Sequence, residues 1–362
     1  MSLVTRPLVT VDARMLLATG IGTYLRALLP RVIARTPDAR FCLLGRTAEL
    51  ERAGLGGDAR VELRQTTAGI YSPREQPELW WRTPRETRVF WAPHVNAPLA
   101  GPGRLLATVH DAFYAKPPPG AVPRLDKLLY LKLVQRGVQR RARAVLCVSA
   151  FTKGELERLL GPFRGPLHVV PNGVDASWFE RPAAPSPHPR PYLLYVGNLK
   201  PHKNLPRTLA AFASIAGRVP HDFVLVGPGD PEPLRAALPG ELATRVRFEA
   251  PLDQAGLERT VAHASGLVLA SLYEGFGLPP LEAMALGIPV LVSRTASLPE
   301  VCGDAALYCD PLSVADIAGG LVRLLTDDAE RLRLAAAGPP RARRFDWDRS
   351  ADQVSAVLRE LL

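Results

Sequence analysis

Two glutamates eight residues apart mark the stretch of this 362-residue chain whose chemistry is easiest to read, LASLYEGFGLPPLEAMALGIPVLVS at residues 269–293. The strand-like run Leu267–Ala270 leads into a loop, Glu274-Gly275-Phe276-Gly277-Leu278. Pro279 and Pro280 then fall where the first turn of a helix should be, a place where a missing N–H costs little. The two glycines permit backbone angles closed to other residues, so loop amides can converge beside a helix N-terminus and attract an anion. Two carboxylates at one anion site would repel a phosphate, so Glu274 and Glu282 read as acceptors for the hydroxyl groups of a sugar or ribose. A second cluster, VGNLKPHKN at residues 196–204, follows a strand and presents Lys200, His202 and Lys203 within four positions, a grouping suited to a pyrophosphate. Lysine is scarce in this arginine-rich chain, six residues in all, which sets Lys203 apart from a solvated surface charge. Gly20 and Gly22 in ATGIGTYLRALLP precede a helix after the first strand, and His110 and Asp111 end an apolar strand in ATVHDAFY. Ser149 and Asn172 also close strand-like runs, where the start of a helix or turn explains them equally well.

These residues must be positioned by something, and the pattern around them is α/β. Strands are expected at Leu8–Val11, Phe41–Leu44, Val89–Ala92, Leu105–Val109 and Ala144–Val148, with helices at Tyr24–Ala34 and over residues 124–143. Strands alternating with helices imply parallel sheets covered on both faces. Residues 181–191, RPAAPSPHPRP, carry five prolines and read as a stiff extended linker between domains. The α/β pattern restarts after it, with strands in 192–199, 222–229, 245–252, 266–271 and 289–293, a helix near Leu205–Ala216 and an amphipathic helix over 347–362.

Composition narrows the classes. With 47% hydrophobic and 22% charged residues the chain is globular, and its length suits two domains. The net charge of +10 invites an anionic partner, but no zinc-finger pattern, RNA-binding aromatic signature or long basic tract points to nucleic acid. Four scattered cysteines suit a reducing cytoplasm, Cys42 and Cys147 lying in apolar runs as small buried hydrophobes. No signal-peptide stretch is expected at the N-terminus and no apolar run is long enough to span a bilayer.

Taken together, YVGNLKPHKNL, ASLYEGFGLPPLEAMALGIPVLVS, LPEVCGDAALYCDP, VVPNGVD and the early GIGTY resemble glycosyltransferase family 4, in order along nearly the whole chain. The resemblance implies GT-B architecture, two Rossmann-like domains with parallel sheets facing across a deep cleft. An acceptor-binding domain is expected over 1–180, a nucleotide-sugar-binding domain over 192–346, and the helix at 347–362 packing back on the first. The activity implied is retaining hexosyl transfer from a nucleoside diphosphate sugar to a carbohydrate, lipid-linked or natural-product acceptor in cell-surface polysaccharide or glycoconjugate synthesis. Carried over by position, Glu282 would bind donor ribose hydroxyls and Glu274 the hydroxyls of the transferred sugar. Phe276 and Gly277 would offer backbone N–H groups, with Leu278 beside them. Lys203 would neutralise the diphosphate, Gly22 would meet it from the other domain, and His110 would lie beside the sugar. Many relatives carry Arg at the positions of Asn198 or His202, so the second cation here would come from Lys200 or a protonated His202. No metal or cofactor is required by any motif.

Residues 124–143 hold seven basic residues and one acid, which suggests peripheral contact with anionic lipid at the inner face of a membrane. A nucleotide-sugar epimerase of the same fold, or a noncatalytic nucleotide-sugar binder, would share the donor site; the Glu-loop-Glu segment favours transfer.

Overall fold

Runs such as LVTVD, RFCLLG and DFVLV carry almost no polar alternation, so they can be satisfied only in a sheet covered on both faces. The computed structural model describes residues 6–112 and 125–362, apart from the side chains of 126, 127 and 241. It forms two parallel sheets from these runs. The first contains β1 (Leu8–Asp12), β2 (Arg40–Gly45), β3 (Val61–Gln65), β4 (Thr87–Ala92), β5 (Arg104–Val109), β6 (Ala142–Cys147) and β7 (Leu167–Val169), in the order β3-β2-β1-β4-β5-β6-β7. The second contains β8 (Tyr192–Val196), β9 (Asp222–Val226), β10 (Val246–Glu249), β11 (Gly266–Leu269), β12 (Val290–Ser293) and β13 (Leu307–Cys309), in the order β10-β9-β8-β11-β12-β13. Every pairing is parallel. In both sheets the strand order reverses beside the first strand, between β1 and β4 and between β8 and β11. The carboxyl ends of strands at such a reversal open a crevice where ligands of α/β proteins bind.

Among the described residues, 6–112, 125–173 and 346–362 form one compact unit and 174–345 a second. The chain therefore passes from one to the other at Gly173–Val174, ahead of the expected linker at 181–191. That proline-rich stretch is fastened to the second unit. Arg181 Nη2 donates to Ala262 O at 2.6 Å, Arg190 Nη2 to Pro220 O at 2.9 Å, and the His188 ring stands edge-on to Tyr192 at 4.7 Å. Proline spacing excludes a helix there but does not say what the extended chain lies against.

The terminal helix Trp347–Leu361 belongs to the first unit. It packs on the helix Gly20–Arg35, where Tyr24 and Trp347 have ring centroids 6.1 Å apart and Arg35 Nε donates to Asp352 Oδ1 at 2.7 Å. Trp347, Ala351, Val354 and Leu358 are buried at helical spacing, which explains why an amphipathic pattern was legible. The helix Gly20–Arg35 begins four residues earlier than expected, so Gly20 and Gly22 form its first turn. The strand-like run before Asn172 is β7, and the unforeseen strands β3 and β13 are, like it, sheet edges. Ala150–Leu160 is the helix that Ser149 could start, whereas the helices Val314–Thr326 and Asp328–Ala342 were not anticipated. All four cysteines are free and buried, and burial pushes the Cys42 and Cys147 thiols up to about 12.

Candidate active site

The second sheet's reversal point is built by two glycine turns packed against each other. Gly197 follows β8 at φ 153° and Gly227 follows β9 at φ 150°, both in the region that favours glycine. A Cβ on Gly227 would lie 2.0 Å from Gly197 O. Beyond the turn, Tyr195 Oη donates to Asn198 O at 2.6 Å and the Asn198 Oδ1 accepts from Lys200 N at 3.3 Å. Pro201–Lys203 form a single 3₁₀ turn, ended by Asn204 at φ 59°, a left-handed position that Asn tolerates. Asn204 Nδ2 donates to Ala270 O at 2.9 Å and Pro311 O at 2.7 Å. Leu272 N donates to His202 O at 2.8 Å. These bonds fasten the lysine turn to the chain leaving β11 and aim Lys203 at the glutamate loop.

There, Glu274 Oε1 accepts from Lys203 Nζ at 2.7 Å and from Ser271 Oγ at 2.7 Å. The loop backbone is pinned from behind. Ser293 Oγ donates to Ser271 O at 2.6 Å, and Ser297 Oγ lies 3.0 Å from Glu274 O and 2.8 Å from Phe276 O. Gly277, at φ 112°, leaves no room for a Cβ, which would sit 2.7 Å from Leu298 Cδ2. The Phe276 side chain is buried edge-on to Phe345, with ring centroids 5.6 Å apart, so Phe276 has only its backbone to offer a ligand. The helix Leu278–Ala285 follows without a side-chain cap. Because Pro279 and Pro280 lack N–H groups, anion-binding amides here must come from the loop and from Leu278 rather than from a full helical first turn, a narrower donor set than the sequence suggested.

Glu282 lies in that helix. Burial, with Asp175 and Glu258 adding to it, pushes its carboxyl up to about 8, so it holds a proton at neutral pH and can both donate and accept toward hydroxyl groups. His202 goes the other way. Burial and the neighbouring Lys203 lower its imidazole to about 4, so it is neutral around pH 7. Lys200, the other candidate for the second cation, is exposed.

His110 and Gly22 lie in the first unit, His110 directly after β5 and Gly22 in the first turn of the helix Gly20–Arg35. His110 Nε2 is 2.8 Å from Pro93 O; a carbonyl only accepts, so Nε2 bears the proton and Nδ1 keeps a lone pair. Its ring stands edge-on to Tyr24 at 4.8 Å, and burial, with the nearby His94, lowers it to about 4. Gly22 has a packing reason for its identity: a Cβ would lie 2.5 Å from Leu16 O, which also accepts from Arg26 Nη1 at 2.6 Å. Ser149 caps the helix Ala150–Leu160, its Oγ accepting from Thr152 N at 3.0 Å. Asn172 is buried.

Sequence reasoning missed a buried ionic network at the first sheet's reversal point. Arg14 grips Asp12 through two bonds, Nε to Oδ1 at 2.8 Å and Nη2 to Oδ2 at 2.6 Å, and reaches Glu75 Oε1 at 2.8 Å. His94 Nε2 stands 3.2 Å from Asp12 Oδ2. Glu75 Oε2 accepts from Tyr71 N and Tyr130 Oη, both at 2.8 Å, and Asn96 Nδ2 donates to Oε1. Burial alone would raise the Asp12 carboxyl; Arg14 and His94 overcome it and hold the group well below the usual carboxylate range. These residues come from four segments between 12 and 130, and only the Asp ending LVTVD left a trace in the sequence. A cavity of about 300 Å³ opens beside Arg14, Arg46, Glu49 and Thr66.

Comparison with known proteins places this architecture among the two-domain GT-B glycosyltransferases. Sucrose-phosphate synthase from Thermosynechococcus elongatus superposes over 98% of this chain and 99% of its own, with TM-score 0.79 at 22% identity. HepE of Anabaena, solved in complex with UDP-glucose, covers 98% of this chain and 99% of its own, with TM-score 0.74 at 16% identity. At these identities the likeness is one of fold. Sequence carries it further: residues 19–178 match the model of Glycosyltransferase Family 4 and residues 190–327 that of Glycosyl transferases group 1. The chain belongs to the glycosyltransferases of family 4, group 1 type. The O-antigen chain mannosyltransferase B of Escherichia coli is 31% identical over 241 residues, 63% of each chain. The phosphatidyl-myo-inositol mannosyltransferase of Mycobacterium tuberculosis is 33% identical over 205 residues, 52% of each. The matches span less than two thirds of these relatives' lengths.

Proposed function

We propose that this protein is a retaining hexosyltransferase that uses a nucleoside diphosphate sugar, and that its acceptor is a carbohydrate, lipid-linked or natural-product hydroxyl. The observation that carries the reading is the Lys203–Glu274 pair at the β8–β11 reversal, 2.7 Å apart and 14% and 12% exposed. A cation and a carboxylate held together at a ligand crevice, beside loop amides, are complementary to the two ends of such a donor. When the donor binds, Lys203 exchanges Glu274 for the diphosphate, and the freed carboxylate takes hydroxyls of the sugar. Breaking the anomeric carbon–oxygen bond sends its electron pair to the diphosphate, where Lys203, Lys200 and the amides of Phe276, Gly277 and Leu278 stabilise the charge. The acceptor oxygen attacks on the same face, and its proton passes to a phosphate oxygen of the leaving group. No side chain is required as nucleophile, and the cations take the role a metal would otherwise fill. Neutral Glu282 binds the donor's ribose. UDP-glucose bound to HepE and the mannosyltransferase relatives favour a hexose donor. The first unit's cavity beside Arg14 and Arg46 is the acceptor pocket this reading favours.

The test is a melting-temperature screen over UDP, GDP, ADP and dTDP, followed by incubation of the matching sugar nucleotides with and without acceptors. A nucleotide at a hundred times its Kd should stabilise the protein by about 2.7 kcal/mol. Product carrying the donor's anomeric configuration supports the proposal. Conversion of the sugar nucleotide without acceptor would mean an epimerase, and no stabilisation by any of the four would defeat the donor site.

A further inference from the structure

The outer face of the helix Leu125–Arg141 is not explained by the core beneath it. The inner face is: Leu131, Val134 and Val138 are buried, and a Cβ on Gly137 would lie 2.7 Å from Leu99 Cδ2. Arg141 donates inward to Pro98 O at 2.5 Å and Gly101 O at 3.1 Å. On the other side Leu125, Leu129 and Leu133 are 70%, 59% and 54% exposed. Their spacing of four puts them in one stripe along the helix. Lys132, Arg136 and Arg140 repeat the same spacing in an adjoining stripe and are also exposed. No Asp or Glu occurs between Leu128 and Arg143. Of the seven basic residues grouped in the sequence, Arg124 lies outside the described residues, the Lys127 side chain is not described, Arg141 is turned inward and Arg143 belongs to β6, beyond the helix. The outward charge on this face is therefore that of 132, 136 and 140. A second helix, Glu75–Arg82, is tied to the first by Gln76 Nε2 donating to Tyr130 Oη at 3.0 Å. It exposes Trp80 by 54% and Trp81 by 77%.

We propose that this face of the first unit docks on a bilayer rich in anionic phospholipid, the leucines entering the acyl boundary while the lysine and arginines meet headgroup phosphates. A second copy of the chain would set one basic stripe against another, whereas a bilayer supplies apolar depth and negative charge together. The docking is peripheral: among the described residues no helix is long and apolar enough to cross a membrane. The inference stands on exposure and charge, independently of the transfer reading.

Co-sedimentation of the full chain with phosphatidylcholine vesicles, with and without phosphatidylglycerol and at low and high salt, tests it. Binding is expected on the phosphatidylglycerol vesicles at low salt and about tenfold or more weaker at high salt. The doubles Leu129→Ser with Leu133→Ser, and Arg136→Gln with Arg140→Gln, alter exposed side chains and should keep the wild-type circular dichroism. Each is expected to bind about tenfold less at low salt. No binding by the wild type at low salt, or leucine variants that bind as well as it does, would overturn the proposal. So would a dimer in vesicle-free sedimentation that the leucine variants dissolve, because the stripe would then belong to a second copy.

Discussion

Each sheet of this protein reverses its strand order once, and at each reversal a cation meets a carboxylate, yet the two pairs are built for different ends. In the first unit Arg14 is shared between Asp12 and Glu75, all three side chains 5% exposed or less. Glu75 is further saturated by Tyr71, Tyr130 and Asn96. In the second unit Lys203 and Glu274 are partly exposed, and Glu274 takes one further bond, from Ser271. A buried network resists change, because removing one member strands the others without water. A part-open pair has lone pairs and a mobile ammonium left to offer a ligand. Ion pairs at matching topological positions are thus divided by how many partners each retains.

The largest expected effect breaks the first side of that contrast. Arg14→Met leaves two buried carboxylates without their cation and should cost about 3–5 kcal/mol of stability. Urea unfolding followed by fluorescence measures it, since four of the five tryptophans lie in the first unit. A loss below about 1 kcal/mol would make the Arg14 network as loose as the lysine pair.

Lys203→Ala should do the reverse. Turnover falls by about 10²-fold or more, as when a charge-stabilising donor is removed, while stability changes by no more than about 1 kcal/mol. Glycosyl transfer assayed beside thermal unfolding separates the two. Near-normal turnover would remove Lys203 from the diphosphate.

Glu282→Gln is a smaller, pH-dependent test. With the native carboxyl raised from 4.5 to about 8, the folded state binds the extra proton, so stability declines as pH rises through that window. The wild type should lose about 1–3 kcal/mol across it, and Tm of the glutamine variant should be flat.

The smallest effect is an absence. With His110 and His202 both near 4 rather than 6.5, the kcat/KM profile should show no inflection from either around neutral pH. Their contribution to stability is present above 6.5 and lost as pH falls toward 4, because the unfolded chain takes up those protons first. An imidazole titrating near neutrality would restore His202 as a cation.

Much of the donor side was legible because its chemistry is local. Glu274, Phe276, Gly277, Leu278 and Glu282 fall within nine consecutive positions, and the lysine turn within another short run, so strand-end and turn rules reach them without tertiary information. The central strands were legible for a similar reason: burial on both faces writes itself as an unbroken apolar run. The edge strands β3 and β13 were not, since short strands on a sheet margin leave little pattern.

What the sequence determined by itself is therefore the family, the two α/β halves and the local clusters, because hydrophobic periodicity and glycine and proline chemistry act over a few residues. Only the tertiary structure decided that Asp12, Arg14, Glu75 and His94 form one network, that His202 is neutral and Glu282 protonated, and that the proline-rich stretch lies against the second unit. Those outcomes depend on desolvation and on partners distant in the chain, and neither quantity is carried by any single residue type.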